Sequence, residues 1–279
     1  MNVAIIGAGT MGTRLALRCA AHGCATTLIA RDAARALGAL GEAASESGIS
    51  AGGVHVSDRL TDAARADLVA ETIPEDLAAK RALYRALEAL LGEHVPIASG
   101  TSSLVPDALG AGLPHPGRVI VAHMVHPVTT VPIVELIVPS AVDGAALATV
   151  EAWLAALHMR PIRLRAPIAG FVVNRLQFAL LREAAHLVEA GIVDATEVDT
   201  VIECALGPRW AATGPLASAE LGGRPTFAAI ARSLTPQLDA RPNIPLLESD
   251  APLRDWSDDE RDRARARRRR VYDAIDDAR

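Results

Sequence analysis

Apolar positions along this chain follow two different rhythms, and the change comes near residue 168. Before it, short apolar runs of strand length alternate with longer amphipathic stretches. The runs are Asn2 to Ile6, Ala25 to Ala30, Val54 to Val56, Asp67 to Ala70, Val95 to Ser99, Val119 to Ala122 and Arg160 to Leu164. The stretches between them with helical spacing include one ending at Ala21, Asp32 to Ser47, a segment carrying Lys80 through Leu91, and Asp143 to Leu157, with Ser57 capping a shorter helix. Such alternation predicts an α/β fold, a doubly wound, mostly parallel sheet with helices on both faces. The stretch Val121 to Ile137 reads as strand, loop and strand, with Pro127 to Pro132 as the connection. Beyond Arg165-Ala-Pro-Ile-Ala-Gly170 only helices and loops are expected. Phe171 to Ala190 puts Val173, Leu176, Leu180, Ala184, Leu187 and Val188 on one face and stops at Gly191. Asp194 with Glu197 has the spacing of a capping box, and Ser257-Asp-Asp-Glu260 starts a last helix. The expected organisation is residues 1–168 as the α/β domain and 169–279 as an all-α domain for substrate and dimerisation.

Gly7-Ala-Gly9-Thr10-Met11-Gly12 follows the first strand directly and opens the first helix. In that context GxGxxG is a dinucleotide fingerprint of a Rossmann-type sheet. Gly7 allows the tight turn, Gly9 lets a pyrophosphate approach the backbone, and Gly12 lets helix pack on strand. The second strand ends at Ala30, where an NAD-binding chain usually carries Asp or Glu for the ribose 2′-hydroxyl. Ala30 followed by Arg31 favours a 2′-phosphate, hence NADP(H), with NAD(H) possible if Asp32 reaches the ribose. Ligand sites in such sheets lie at the carboxyl ends of strands. Gly7–Gly12, Ala30–Arg31, Glu71–Glu75, Ser99–Ser103 and His123 all fall there.

Composition narrows the setting. The chain has 279 residues, 50% hydrophobic and 3% aromatic, so Ala, Leu, Val and Ile build its core. A formal net charge of -5 argues against nucleic acid as a general partner. The exception is the basic run Arg261 to Arg270, read as a solvated, ion-pairing helix face, or alternatively as a subunit or acidic-partner contact. Cys19, Cys24 and Cys204 have no metal-ligand spacing, so no metal is expected and a reducing cytoplasm is. No apolar run approaches the ~18–20 residues of a membrane span.

His123 and Glu135 sit on the two strands of the Val121–Ile137 hairpin, which can bring imidazole and carboxylate side by side. A carboxylate that accepts from one ring nitrogen fixes the tautomer and leaves the other nitrogen as a base. Such a pair is also common as plain structure, and the surrounding motifs decide between the two.

With these pieces placed, the chain resembles the 3-hydroxyacyl-CoA dehydrogenase superfamily over nearly its whole length. Glu71-Thr-Ile-Pro-Glu75 with Lys80, Thr101-Ser102-Ser103, the His123/Glu135 pair and Gly170-Phe-Val-Val-Asn174-Arg175 look like its motifs. Asn174-Arg-Leu-Gln-Phe-Ala, Leu187-Val-Glu-Ala-Gly-Ile-Val-Asp and Gly207-Pro-Arg209-Trp210 are similar to the lambda-crystallin / L-gulonate 3-dehydrogenase branch. The resemblance implies His123 as general base, Glu135 as its orienting partner, and Ser102 and Asn174 as hydrogen-bonding partners of the reacting oxygen. It puts Glu75 and Lys80 near the nicotinamide ribose. Arg209 suits a free substrate carboxylate, with a helix C-terminal charge as the other reading of that residue. Three positions depart from the pattern: Gly100 and His126, each where the family has Asn, and Ala30. His126 lies beside the implied substrate.

The expected activity is hydride transfer between a nicotinamide cofactor and the C3 alcohol or ketone of a small 3-hydroxy acid, by a cytoplasmic homodimer. The alternatives are the same chemistry on a 3-hydroxyacyl thioester, and a catalytically silent, crystallin-like cofactor-binding protein.

Overall fold

The computed structural model describes residues 1–250, 252–253 and 256–277. They fall into two compact units, Met1–Val173 and Asn174–Arg279. The division follows the first residue of a helix, a few residues beyond the boundary expected at 168.

In the first unit eight strands form one sheet in the order β3-β2-β1-β4-β5-β6-β7-β8. They are β1 (Asn2–Ile6), β2 (Ala25–Ile29), β3 (Val54–Ser57), β4 (Leu68–Glu71), β5 (Ile97–Ser99), β6 (Val119–Met124), β7 (Ile133–Ile137) and β8 (Arg160–Arg163). All neighbours pair in parallel except β6 with β7, which are antiparallel. The helices are α1 (Thr10–Ala21), α2 (Ala33–Ser47), α3 (Leu77–Glu88), the short α4 (Pro106–Gly110) and α5 (Gly144–Ala156). Strand alternation separates two cores. Val3, Ile5, Leu28, Ile120 and Ala122 pack with Leu15 of α1, Leu40 of α2 and Trp153 of α5. Ala4, Ile6, Ile29, Val119 and Val121 pack with Tyr84 and Leu87 of α3 and Leu109 of α4. Central strands buried on both faces explain why their sequences are continuous apolar runs instead of alternating ones.

Several boundaries move for local reasons. β5 begins at Ile97 instead of Val95, because Pro96 has no amide to give to a ladder. α3 stops at Glu88; the amides of Leu90 and Leu91 both turn back to the Leu87 carbonyl ahead of Gly92. Ser57 does not cap a helix directly: its hydroxyl accepts from the Arg59 amide and donates to Asp62 at the start of a 3₁₀ turn, Leu60–Arg65.

Asp143 caps α5, accepting from the amides of Ala145 (2.8 Å) and Ala146 (3.3 Å), and it also meets His94 Nδ1 at 2.7 Å. That contact raises the His94 pKa and lowers that of Asp143, each chiefly through the shared hydrogen bond. The histidine's contribution to stability is full below its ordinary value of 6.5 and is lost as pH rises through its raised value. The carboxylate's contribution is present above the ordinary carboxylate range and fades in acid. The expected result is a small thermal-stability advantage of wild type over His94→Gln at about pH 5.5 that vanishes by about pH 9. Paired melting curves at the two pH values check it, and an equal difference at both would refute it.

The second unit is helical: α6 (Val173–Glu189), whose first residue belongs to the first unit, then α7 (Ala195–Val201), α8 (Gly207–Leu221), α9 (Arg224–Leu234), α10 (Pro245–Glu248) and α11 (Asp258–Asp277). The Asp194/Glu197 capping box forms as expected. Among the described residues of this unit only Ala185 and Ser218 are buried, while Leu176, Leu216 and Leu221 are 61%, 86% and 77% exposed. The face predicted to be covered on α6 is therefore open at Leu176 and Leu180 within one chain. The basic run lies on α11, where Arg263, Arg265 and Arg267 pair with Asp259, Asp262 and Glu203. No helix among the described residues is long and apolar enough to cross a membrane.

Candidate active site

The glycine loop joins β1 to α1 and rests on Thr72. Gly7 has φ +112°, and a Cβ there would lie 2.9 Å from the Thr72 backbone. A Cβ on Gly12 would lie 2.6 Å from the Thr72 hydroxyl and would also run into the Gly7 carbonyl. Thr72 in turn donates to the carbonyls of Ile6 (3.2 Å) and Gly7 (3.0 Å). A Cβ on Gly9 would meet nothing within 4 Å. Gly7 and Gly12 are thus required by packing, and Gly9 keeps open space in front of the helix. α1 starts with no side-chain cap and no acidic residue in its first turn, and Thr10 is exposed beside partly buried Met11. Its free amides and positive dipole end suit a pyrophosphate. These residues fit the cofactor that the fold implies.

At the end of β2, the Ala30 amide bonds the Ser57 carbonyl, and Arg31 is exposed. Asp32 caps α2 by accepting from the Arg35 amide at 2.9 Å. Its carboxylate is therefore engaged in holding the helix.

The ends of β4 and β5 carry a buried polar network. Glu71, fully buried, accepts from Lys80 Nζ (2.6 Å), Tyr84 (2.6 Å), Ser99 (2.8 Å) and the Ile73 amide (2.7 Å). Burial, together with the neighbouring Glu71 carboxylate, keeps the Tyr84 phenol protonated. Glu75 Oε1 accepts from the Thr101 hydroxyl (2.5 Å), the Ser102 amide (3.1 Å), and the Ser103 amide (3.0 Å) and hydroxyl (2.7 Å). Desolvation works against ionisation of Glu75, but these bonds and the Lys80 charge hold its pKa below the ordinary value. Lys80 Nζ lies 3.7 Å from Glu75 Oε2, and its side chain is 1% exposed. Lys80 thus braces Glu71 and Glu75, and Glu75 holds the Ser102 loop.

The hairpin pairs His123 directly with Glu135 across β6 and β7. His123 Nδ1 meets Glu135 Oε2 at 2.7 Å, and both side chains are buried. Glu135 Oε1 accepts from the amides of Val172 (2.6 Å) and Val173 (3.0 Å), at the entry to α6. The carboxylate therefore orients the imidazole with one oxygen and caps a helix with the other. Phe171 precedes that helix in a left-handed conformation, φ +47°, fully buried, with its ring centroid 5.2 Å from that of His123. Nδ1 is committed, so Nε2 is the nitrogen available to a substrate.

Of the remaining residues singled out from the sequence, Ser102 is partly exposed at the tip held by Glu75. His126 is exposed, at the cis bond to Pro127. Asn174 is partly buried in the first turn of α6. Arg209 is exposed near the start of α8, just after a π-helical turn, Ile202–Leu206. Gly214 (φ +67°, ψ 167°) breaks α8, so Arg209 lies four residues before the end of the helical stretch that reaches Thr213. Thr72, Tyr84 and Phe171 were not singled out. Only the proximity of Thr72 to Gly-x-Gly across a parallel strand pair could have pointed to it, and that requires the strand order.

An open glycine cradle at one strand end and a clamped His–Glu pair at another define a dinucleotide-dependent oxidoreductase. The chain belongs to the 3-hydroxyacyl-CoA dehydrogenase family: residues 2–166 match the family's NAD binding domain and residues 170–249 its C-terminal domain. It is 32% identical over 259 residues to the 5-formyl-3-hydroxy-2-methylpyridine 4-carboxylate 5-dehydrogenase of Mesorhizobium japonicum, covering 87% of this chain and 82% of that protein. It is 33% identical to the L-carnitine dehydrogenase of Oceanobacillus iheyensis, covering 80% and 76%. A human lambda-crystallin homolog is 38% identical over 153 residues, 55% of this chain and 48% of that one. Among solved structures, a 5-formyl-3-hydroxy-2-methylpyridine 4-carboxylic acid 5-dehydrogenase described as an NAD+ dependent dismutase superposes with a TM-score of 0.84 at 28% identity, covering 98% and 96%. The chain is thus a nicotinamide-dependent dehydrogenase with a Rossmann-type sheet and a helical C-terminal region.

Proposed function

We propose that this dehydrogenase is a cytoplasmic homodimer that moves a hydride between NADP(H) and the C3 alcohol or ketone of a small 3-hydroxy acid. The observation that carries the reading is the His123–Glu135 pair at 2.7 Å, buried and with its carboxylate fully hydrogen-bonded. When bound, the nicotinamide supplies the hydride acceptor. His123 Nε2 takes the hydroxyl proton while Glu135 balances the imidazolium that forms. Such a buried charge pair is tolerable because three hydrogen bonds satisfy the carboxylate. Ser102 and Asn174 hydrogen-bond the reacting oxygen. Arg209 pairs with the substrate carboxylate, and exposed His126 flanks the substrate. The Mesorhizobium relative is named for a pyridine 4-carboxylate, a free acid, which favours this choice over a thioester. The open apolar positions Leu176, Leu216 and Leu221 favour a second copy as their cover.

NADP(H) is favoured over NAD(H) because Ala30 removes the repelling carboxylate and Arg31 is exposed beside it, while Asp32 is engaged as a cap. Fluorescence titration should find NADPH bound about 10- to 150-fold more tightly than NADH, the worth of a charge-assisted bond of ~1.5–3 kcal/mol. Arg31→Glu should reverse the order. Tighter NADH binding by the wild type would sink the NADP(H) assignment. For the substrate, Arg209→Gln should raise KM for free 3-hydroxy acids about tenfold or more and leave 3-hydroxyacyl thioesters unchanged. Equal loss on both would refute the carboxylate role.

A further inference from the structure

Arg18 is an arginine in the middle of a hydrophobic core. It lies on α1, eight residues after Thr10 and so about 12 Å along the axis from the helix end that faces the cofactor. It is 5% exposed, among Leu15, Leu17 and Cys19, which are buried. Its Nε and Nη2 donate to the Leu157 carbonyl at 3.1 and 2.9 Å. Its Nη1 donates to the carbonyls of Val128 (2.8 Å) and Val131 (3.2 Å). Leu157 ends α5, where the helix dipole is negative and stabilises a cation. Val128 and Val131 belong to the loop that joins β6 to β7, and therefore His123 to Glu135.

At its far end the loop is tied to the start of β8, where the Arg160 amide bonds the Pro132 carbonyl at 2.6 Å. Between Pro127 and Val131 the amides of Thr130 and Val131 both return to the Pro127 carbonyl, at 3.1 and 3.0 Å, which shapes the turn from within. Buried Val128 and Val131 hold it by packing, and apolar packing is non-directional. The guanidinium supplies direction: a planar fork grips two loop carbonyls on one side and the end of α5 on the other. α1 runs unbroken from Thr10 to Ala21, so its first turn and Arg18 belong to one helix.

We propose that Arg18 is a positioning residue that couples cofactor docking at the start of α1 to the geometry of the His123–Glu135 hairpin. A leucine or methionine would fill the same space in this core more cheaply. What the arginine adds is a directional link between the element that holds the cofactor and the loop that sets the reacting pair. The inference rests on His123 and Glu135 being the catalytic pair, and its test is chosen to separate the two.

The test is hydrogen exchange of the purified full chain with and without saturating NADPH or NADH, read on peptides covering the glycine loop and residues 124–134, in wild type and Arg18→Met. In wild type the cofactor should slow exchange in both segments, at Thr130 and Val131 by about tenfold, a coupling of ordinary allosteric size. In R18M the slowing at Gly7–Gly12 should remain and that at 124–134 should disappear. Cofactor affinity should stay within about twofold, while kcat on a responsive hydroxy acid falls about 10- to 100-fold, as misplacement of a catalytic pair costs. If R18M is recovered only as aggregate, Arg18→Lys serves instead, because it keeps the cation at α5 but cannot span both segments. Loop protection that survives in the variant, or that is missing in wild type while the glycine loop responds, overturns the coupling. No response at either segment overturns the cofactor site, and the coupling with it. Intact coupling with full activity in a His123→Gln variant would fault the catalytic pair alone.

Discussion

Glu135→Gln should lower kcat by about 10²–10⁴-fold, although it changes one atom. The reason is symmetry. A carboxylate accepts with both oxygens, and here both are used: Oε2 by the imidazole, Oε1 by the amides of Val172 and Val173. An amide has one oxygen. Turned toward the helix amides, it presents its NH₂ to His123 Nδ1 and selects the tautomer whose Nε2 already bears the proton, so no base remains. Turned toward the imidazole, it sets its NH₂ against two backbone donors at the start of α6. The second arrangement keeps the base and loses the helix cap; a missing cap costs about 1 kcal/mol and unpaired buried donors cost more. The first keeps the cap and loses the base. The variant should therefore be slow with nearly normal stability, and the Glu135→Ala variant both slow and less stable. His123→Gln should match E135Q in rate, because the pair acts as one unit. Single-turnover hydride transfer and urea unfolding measured together check this. Turnover of E135Q within about fivefold of wild type would show that the pair is structural.

That pair was legible in the sequence because the chemistry and the local structure coincide. The strand–loop–strand reading of Val121–Ile137 is enough to put His123 and Glu135 opposite each other, and the ladder does so in register. The glycine pattern was legible for the same reason: its spacing and its place between β1 and α1 are local, although Gly7 and Gly12 pack against Thr72 from far along the chain. The other partners of these groups come from far along the chain. Thr72 reaches the glycine loop across the β1–β4 pair, and Arg18 reaches loop carbonyls 110 and 113 residues away. No spacing rule connects such residues, and an arginine inside a helix reads as solvated until its burial is known. The helical spacing predicts a helix from Phe171, since nothing in a phenylalanine announces a left-handed backbone; its ring lies against His123, and the helix begins two residues later. Lys80 shows the limit of a motif: its place is legible, and its buried carboxylate partners are not. A resemblance carries over where a residue sits in a motif, but whether its ammonium faces a ligand or a carboxylate is a matter of burial.

Lys80→Met should destabilise the first unit by about 3–5 kcal/mol, the usual result of stripping one partner from a buried ion pair. Glu71 would keep Tyr84, Ser99 and the Ile73 amide, three donors that still favour its charge. It would lose the one cation at 2.6 Å in a site where neither side chain is more than 1% exposed. Replacing both members, Glu71→Met with Lys80→Met, removes the stranded charge and should recover much of that stability, since apolar pairs of similar volume often equal buried ion pairs. Recovery would be incomplete, because Tyr84 and Ser99 then lose their acceptor. Activity should not follow stability. Both variants lack the ammonium that lies 3.7 Å from Glu75 and helps keep it ionised, and Glu75 is what holds Thr101, Ser102 and Ser103. If Ser102 holds the reacting oxygen as proposed, a loosened loop presents it less often in the productive geometry, and kcat should fall about tenfold or more in the single and the double variant alike. Chemical denaturation and steady-state rates on the two variants separate the effects. A double variant that regains full activity along with its stability would mean that Lys80 serves the fold alone, and that the Ser102 loop is held without it.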